Sequence, residues 1–424
     1  MVPGTISARL RPNGRLWRQP EFLKLWGGQT VSVMGDQVSS LALPLVAVLV
    51  LDASALEMGI LAAAAWAPHL VLSLAAGLWV DRRQRRVPIM VATDLARAAT
   101  LLSVPVAYWL EALTFEHLVG VAFLVGGLTV FFDVAWSTFF MRVVAREDVV
   151  DANGKLSLSR SGSYVAGPPL AGGLVQALTA PVAILADAFS FVLSALAIGR
   201  IRVHEPVLSA QPEASARARL VGGFRFVLGH PILRAGVGCT STINFFNLGF
   251  GAIVVLFMAR ELELTPGTIG LILGVGAVGS VVGALVAPQV GRRVGIGPAI
   301  AIGAVLFPAP LLLFPLAGGP DELVVAMLVV GEFFAGIGVM VFDVNQNSLT
   351  FLLTPERMRP RQVAISRVFN YGVRPFGALA GGVLASVIGL RPALLLLAAC
   401  TLLGVFWLIA SPTLALRDPP DALA

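Results

Sequence analysis

Long apolar runs alternate with short polar connectors along the whole chain. The runs fall at about 23–51, 56–80, 87–110, 115–141, 156–178, 181–200, 232–259, 267–290, 296–317, 322–353, 363–389 and 392–411. A helix needs roughly 20 apolar residues to cross the hydrocarbon of a bilayer, so the pattern predicts twelve transmembrane helices. Several runs contain Gly and Pro, which membrane helices tolerate better than soluble ones. The fourth and tenth runs are long enough to tilt or to project past the bilayer.

Composition strengthens this reading. Of 424 residues, 57% are hydrophobic and 13% charged, whereas a soluble domain carries roughly 25% charged residues. A surface so poor in charge belongs in lipid. The two cysteines, Cys239 and Cys400, both lie in apolar runs, and supply neither a disulfide framework nor a zinc pattern. Residues 1–20 are polar and lead into the first run without a short apolar core and cleavage site, so that run is expected to be a retained signal-anchor.

The formal charge of +6 would raise the question of nucleic acid in a soluble protein, but its placement answers otherwise. One set of connectors carries Arg9, Arg11, Arg15 and Arg18, then Arg82, Arg83, Arg85 and Arg86. The same side continues with Arg146, Lys155, Arg160, the central linker, Arg292, Arg293, Arg357, Arg359 and Arg361. The alternate connectors hold Asp52, Glu57, Glu111, Glu116, Glu261, Glu263, Asp321 and Glu322, with Arg260 and Arg391 as their few cations. The positive-inside rule therefore places both termini and the linker in the cytoplasm. No nucleic-acid partner is needed to explain the charge.

The halves of the chain resemble each other at an offset of about 210 residues. Phe132-Asp133-Val134 matches Phe342-Asp343-Val344, and Val80 with Arg82-Arg83 matches Val290 with Arg292-Arg293. With small gaps, Ser159-Arg160 and Tyr164 match Ser366-Arg367 and Tyr371. Six spans per half make the repeat parallel, an architecture that places a transporter's site at the midplane between two bundles. The expected organisation is a cytoplasmic segment 1–20, a six-helix bundle 21–200, a cytoplasmic linker 201–230, a second bundle 231–411 and a cytoplasmic tail 412–424.

Charges at bilayer depth cost at least about 2.5–3.5 kcal/mol, yet the spans contain Asp36, His69, Asp94, Arg97, Asp133, Asp187, Glu332, Asp343 and Arg374. Gln29, Ser32, Asp36 and Ser39 recur at helical spacing in the first span, as do Thr240, Asn244 and Asn247 in the seventh. The fourth span offers Thr129, Asp133 and Ser137, and the tenth offers Glu332, Asp343, Asn347 and Thr350. These are the first and fourth spans of each half, so their stripes predict one central polar cavity. Asp36 stands roughly 16 Å into its helix at 1.5 Å per residue, and is the leading candidate for proton exchange. Asp133, Glu332 and Asp343 are secondary candidates. Gln29, Ser32, Asn244, Phe245, Asn247 and Asn347 are the expected substrate contacts. Asp94 and Arg97, at i and i+3, can pair on one helix face. Arg374 is expected to pair with Glu332. Asp187 has no evident partner and reads as structural, and His69 as a satisfied interior residue.

At Gly77-Leu-Trp-Val-Asp81-Arg82-Arg83-Gln84-Arg85-Arg86 the chain resembles the loop between the second and third helices of the major facilitator superfamily. Gln84 replaces the usual glycine, and the repeat copy has Gly291 opposite Asp81. The resemblance implies a conformational lock at Gly77, Asp81, Arg82, Arg85 and Arg86, complete in the first half alone. Gly167-Pro168-Pro169-Leu-Ala-Gly172-Gly173 is similar to an exporter-associated Gly-Pro-x-x-Gly-Gly signature, with one extra residue. Over its whole length the chain resembles the branch that includes macrolide-efflux and enterobactin-export proteins. Many drug–proton antiporters of the superfamily hold an arginine inside the fourth helix. Here Arg142 stands only at its end, and Arg97 or Arg374 would substitute.

Other signals are set aside. Gly274-Val-Gly276-Ala-Val-Gly279 lies in an apolar span without the strand and acid of a dinucleotide site. Gly154-Lys155 lacks the Walker context, so no ATPase is encoded, and no nucleophile–base or metal spacing suggests an enzyme. The expectation is a monomeric, cofactor-free multi-pass protein of the bacterial inner membrane that exports an amphipathic small molecule, an antibiotic or siderophore-like metabolite, in exchange for protons. Rival readings are a facilitator or importer, and a receptor or secretion accessory without transport.

Overall fold

The computed structural model describes residues 16–83, 85–203 and 216–417. Arg9, Arg11, Arg15, Gln84, Pro206, Pro212, Glu213 and the tail beyond 417 lie outside the described residues, as do the side chains of Asp81, Arg217 and Arg219. No described residue belongs to a strand.

The first half contains α1 (Pro20–Leu49), α2 (Ala55–Asp81), α3 (Val87–Trp109), α4 (Phe115–Val143), α5 (Val149–Leu178) and α6 (Ala180–Gly199). After the linker helix α7 (Ala216–Gly229) come α8 (Pro231–Arg260), α9 (Pro266–Val294), α10 (Ile296–Leu306), α11 (Leu313–Leu316) and α12 (Asp321–Leu353). The chain ends with α13 (Arg359–Gly372), α14 (Arg374–Ile388), α15 (Leu390–Thr401) and α16 (Gly404–Ile409). Eleven helical segments are long and apolar enough to cross a membrane. Helix α5 has the length, 30 residues, but is diluted by Ser, Asn, Arg and Pro. With it, each half contributes six membrane-length segments.

Local chemistry sets the ends. Ser54 and Glu57 form a reciprocal capping box at α2, where the Ser54 N–H donates to Glu57 Oε2 at 2.7 Å, satisfying donors that the first turn leaves open. Thr114 and Thr265 cap α4 and α9 by accepting from the backbone N–H of His117 and Thr268, the latter helix with Pro266 at its first position. Helix α5 begins earlier than its apolar run, at Val149, and a Lys155–Asp151 pair at 2.5 Å links its first two turns. Three spans expected as continuous are broken. Pro308 and Pro310 interrupt the ninth, Pro375 divides α13 from α14, and a break at Leu402 and Leu403 divides α15 from α16. A proline removes a backbone donor and crowds the preceding turn.

The repeat extends to backbone geometry. Asp52 and Glu263 adopt φ of 51° and 50° in the equivalent α1–α2 and α8–α9 connectors. At the α5–α6 and α14–α15 junctions, Thr179 and Gly389 have φ of 104° and 90°.

The halves meet through two glycine contacts related by the same pseudo-two-fold. A Cβ on Gly59 of α2 would lie 2.8 Å from the Cα of Gly382 on α14. A Cβ on Gly172 of α5 would lie 3.1 Å from the Cα of Gly270 on α9. Gly59 corresponds to Gly270, and Gly172 to Gly382, so one contact is used twice. Small residues permit this backbone approach where lipid supplies no hydrophobic drive. Polar links reinforce the same end: Arg260 pairs with Asp52 across the halves, and the Gly267 N–H donates to Gln176 Oε1 at 3.1 Å. Toward the end that carries the starts of α1 and α8, two cavities separate the helices.

Candidate functional site

The first cavity, about 890 Å³, is walled by α8, α12, α13 and α14 with Trp66 of α2. It runs from Asn247 toward Leu233, Thr354 and Arg359. The second, about 1230 Å³, lies between α1 and α5 on one side and α8, α9 and α12 on the other. Asn247, Phe307 and Val339 border both. The cavities thus adjoin, and both extend away from the glycine-sealed end.

Of the expected substrate contacts, Asn244, Asn247 and Asn347 line the first cavity together with Asp343. Phe245 does not line either of these cavities. One residue on from Asn244, it is rotated by about 100° onto α14, where its backbone lies against Gly377 and its ring meets Phe246 at 5.1 Å. Gln29 and Ser32 also stand outside both linings. Ser32 is buried on α1, the helix whose Gly28 packs against Ala197 and Ser194 of α6. Helix α1 reaches the second cavity through Gln37 and Ser40 instead.

Four carboxyl groups surround one guanidinium in the first half. Arg97 pairs with Asp94 on its own helix, and its guanidinium carbon lies 4.5 Å from the Phe132 ring centroid and 4.1 Å from that of Phe191. Asp94 and Arg97 are 0% and 2% exposed, so this is a fully desolvated pair. Asp36, half-buried on α1, is within electrostatic reach of Arg97 and Asp94 on α3 and Asp133 on α4. Asp187 of α6 joins this group, correcting its reading as an isolated structural residue. Its carboxylate accepts from Ser190 Oγ at 3.0 Å, borders Gly35, and interacts with Asp36 and Arg97. Asp133 is exposed, with Arg160 of α5 and Arg367 of α13 as further electrostatic neighbours.

Glu332 and Arg374 do not pair. Glu332 lies on α12 against Gly276 of α9 and borders the second cavity. Arg374, at the start of α14, faces the first cavity and donates from Nη2 to Asn244 Oδ1 at 3.2 Å. Arg374, in the first turn of α14, thus meets α8 and α2, and Glu332 lies against α9 instead. Its guanidinium carbon is 4.2 Å from the Trp66 ring centroid and 4.6 Å from that of Tyr371. The two rings stack at 5.9 Å, with His69 beside Tyr371 at 5.6 Å. Sequence reading missed this aromatic group, because Trp66 and Tyr371 belong to different halves. The match of Tyr371 with Tyr164 was the one available signal.

Gly77, near the end of α2, meets open space; in the α2–α3 connector Arg82 and Arg85 are exposed, and buried Arg86 donates to the carbonyls of Val80 and Arg83. Arg86 therefore closes the end of α2. In α5, Gly167 packs against Gln37 of α1, and Pro169 against Gly274 of α9. The glycine signature is thus used in helix contacts. Among the described residues, no cluster of His, Cys, Asp and Glu could hold a metal ion.

Comparison with known proteins agrees with this architecture. A family model described as transmembrane secretion effector matches residues 16–419. The multidrug efflux pump Tap of Mycolicibacterium fortuitum is 29% identical over 417 residues, covering 92% of this chain and 95% of that one. Among solved structures, the nucleoside transporter NupG gives a TM-score of 0.76 at 13% identity, covering 92% of this chain and 99% of that one. A bacterial homologue of the iron transporter ferroportin, in its inward-facing state, also gives 0.76, at 18% identity and with 92% and 98% covered.

Proposed function

Because the chain belongs to the transmembrane secretion effector family of the major facilitator superfamily, we propose that it exports an amphipathic small molecule across the bacterial plasma membrane in exchange for protons. The observation that carries this reading is the pair of adjoining cavities at the junction of two halves that are sealed at one end. A substrate entering from the open end would be released once the halves rock and the glycine contacts part. The arginine-rich connectors at the open end support a cytoplasmic position for it by the positive-inside rule, and with that an inward-facing reading of this conformation.

The first cavity offers amides and charges, and the second a largely apolar wall with Glu332. An amphipathic molecule suits such a pair. Proton exchange is assigned to Asp36, with Asp133, Glu332 and Asp343 as secondary sites. One arginine, Arg97, stands among Asp36, Asp94, Asp133 and Asp187, so carboxyl groups outnumber the cation there, which supports proton exchange at this group. Each charge moved down the membrane potential supplies about 2.3 kcal/mol per 100 mV. Asp81, whose side chain is outside the described residues, with Gly77, Arg82, Arg85 and Arg86, is assigned to the conformational equilibrium by family resemblance.

Proteoliposomes containing a pH-sensitive dye test the coupling. Adding a macrolide or a catecholate siderophore is expected to move protons opposite to the substrate, and Asp36→Asn to abolish this while folded protein remains in the membrane. Transport that persists undiminished without an ion gradient would overturn proton coupling, and wild-type proton movement in Asp36→Asn would remove Asp36 from it.

A further inference from the structure

Three arginines, Arg359, Arg367 and Arg374, border the first cavity with one acid, Asp343, in its lining. Arg359 pairs with Glu356 at 3.5 Å, and Arg367 has Asp133 as an electrostatic neighbour. Arg374 is the farthest of the three from the open end, roughly 22 Å beyond Arg359 at 1.5 Å per residue along α13 and α14. A guanidinium that deep normally has a carboxylate beside it. Here no described carboxylate reaches ion-pair distance. Asp343 acts on Arg374 only at longer range. The direct hydrogen-bond partner is the neutral amide of Asn244, and Nε, buried, has no partner.

What holds the group in place is aromatic. Arg374 lies over Trp66 of the first half and Tyr371 of the second, at 4.2 and 4.6 Å from the ring centroids. Ring faces stabilise a guanidinium electrostatically without occupying its hydrogen-bonding edge. They also restrict its rotamers, so an incoming anion has little side-chain freedom to remove. The planar fork matches a carboxylate in two parallel hydrogen bonds.

We propose that Arg374 is the anchor for a carboxylate on the transported molecule, and that the Trp66–Tyr371 stack receives an aromatic or other flat apolar group next to it. The substrate class is therefore an amphipathic organic acid. This rests on the reading of the cleft as the transport site. Because Trp66 and Arg374 belong to different halves, the bound acid sits where their relative rotation begins.

Calorimetry on the full-length protein in nanodiscs tests this with a matched pair of probes, 2-naphthoate and the neutral 2-naphthamide. Wild type is expected to bind the acid about tenfold or more tightly than the amide, the range for a hydrogen-bonded charged pair. Arg374→Gln should abolish that preference, and a circular-dichroism melt like that of wild type reports that the variant is folded. Asp343→Asn should tighten the acid, because it removes the competing negative charge. Equal affinity for both probes in wild type, absence of acid binding, or a preference that survives in Arg374→Gln would each overturn the proposal. Should Arg374→Gln fail to fold, the wild-type pair and Asp343→Asn still decide. Equilibrium binding needs no proton flux, so a negative result here leaves the coupling experiment standing, and failure of coupling leaves this one standing.

Discussion

Arg97 illustrates how single residues set both stability and chemistry. It is the cation that the interior of the first half packs around, paired with Asp94 and placed against Phe132 and Phe191. Replacing it with leucine leaves Asp94 as an uncompensated buried charge, which typically costs about 3–5 kcal/mol. Arg97→Leu is expected to lower the unfolding temperature of the purified protein strongly, and an unchanged temperature would mean that the pair is not needed. Thr179 gives the opposite case. Its φ of 104° and ψ of 154° lie in a region adopted almost only by glycine, with a strain of order 1–3 kcal/mol, and its repeat partner is Gly389. Thr179→Gly should therefore stabilise the protein by about 1 kcal/mol, read as a higher midpoint in thermal unfolding. At this scale the sequence revealed what lies on one helix. The i, i+3 spacing of Asp94 and Arg97 announced their pairing. Asp187 was illegible because its neighbours, Gly35 and Asp36, arrive from a helix some 150 residues earlier. Phe245 stands off both cavities because its helical angle turns it onto α14, which residue type alone did not reveal.

Helices meet where side chains are smallest. The Gly59–Gly382 and Gly172–Gly270 contacts leave no room for a Cβ, so bulk at either should pry the sealed end apart. Gly172→Leu and Gly59→Leu are expected to lengthen the distance between spin labels placed at Leu51 and Leu262, measured by pulsed electron paramagnetic resonance. The pseudo-two-fold requires the two variants to act alike; widening in one alone would break that equivalence. The apolar runs located most spans to within a few residues, α5 excepted, which starts at Val149 rather than near 156. They did not show that α13 and α14 are separate, because one proline among apolar neighbours leaves a run intact while ending a helix. Arg374, the first residue of α14, lines the first cavity. The glycine motif of α5 was legible, but its partners on α1 and α9 were not.

For the whole molecule, the balance between conformations depends on many weak links at the sealed end. The Asp52–Arg260 pair is one of them, and Asp52 is almost fully exposed, at 94%. Such pairs contribute roughly 0–1 kcal/mol, at most about a fivefold change in population. Asp52→Asn should therefore shift the label distances only slightly toward an open sealed end, by much less than the glycine variants. A large shift would assign the seal to that ion pair. The twelve spans and the parallel repeat were readable from periodicity and offset alone. The division of the cleft into a basic, amide-lined cavity and a largely apolar one was not, because it emerges only when α8 and α12 contribute to both.

Concentrative transport tests the central claim most directly. Purified protein in liposomes with an acidic lumen should accumulate a test compound, drawn from macrolides, catecholate siderophores and aryl carboxylates, above its external concentration. Nigericin, by collapsing the pH gradient, should release it, and Asp36→Asn should never accumulate it. A luminal concentration that only equals the external one across the whole set, or accumulation indifferent to nigericin, would contradict proton-coupled export.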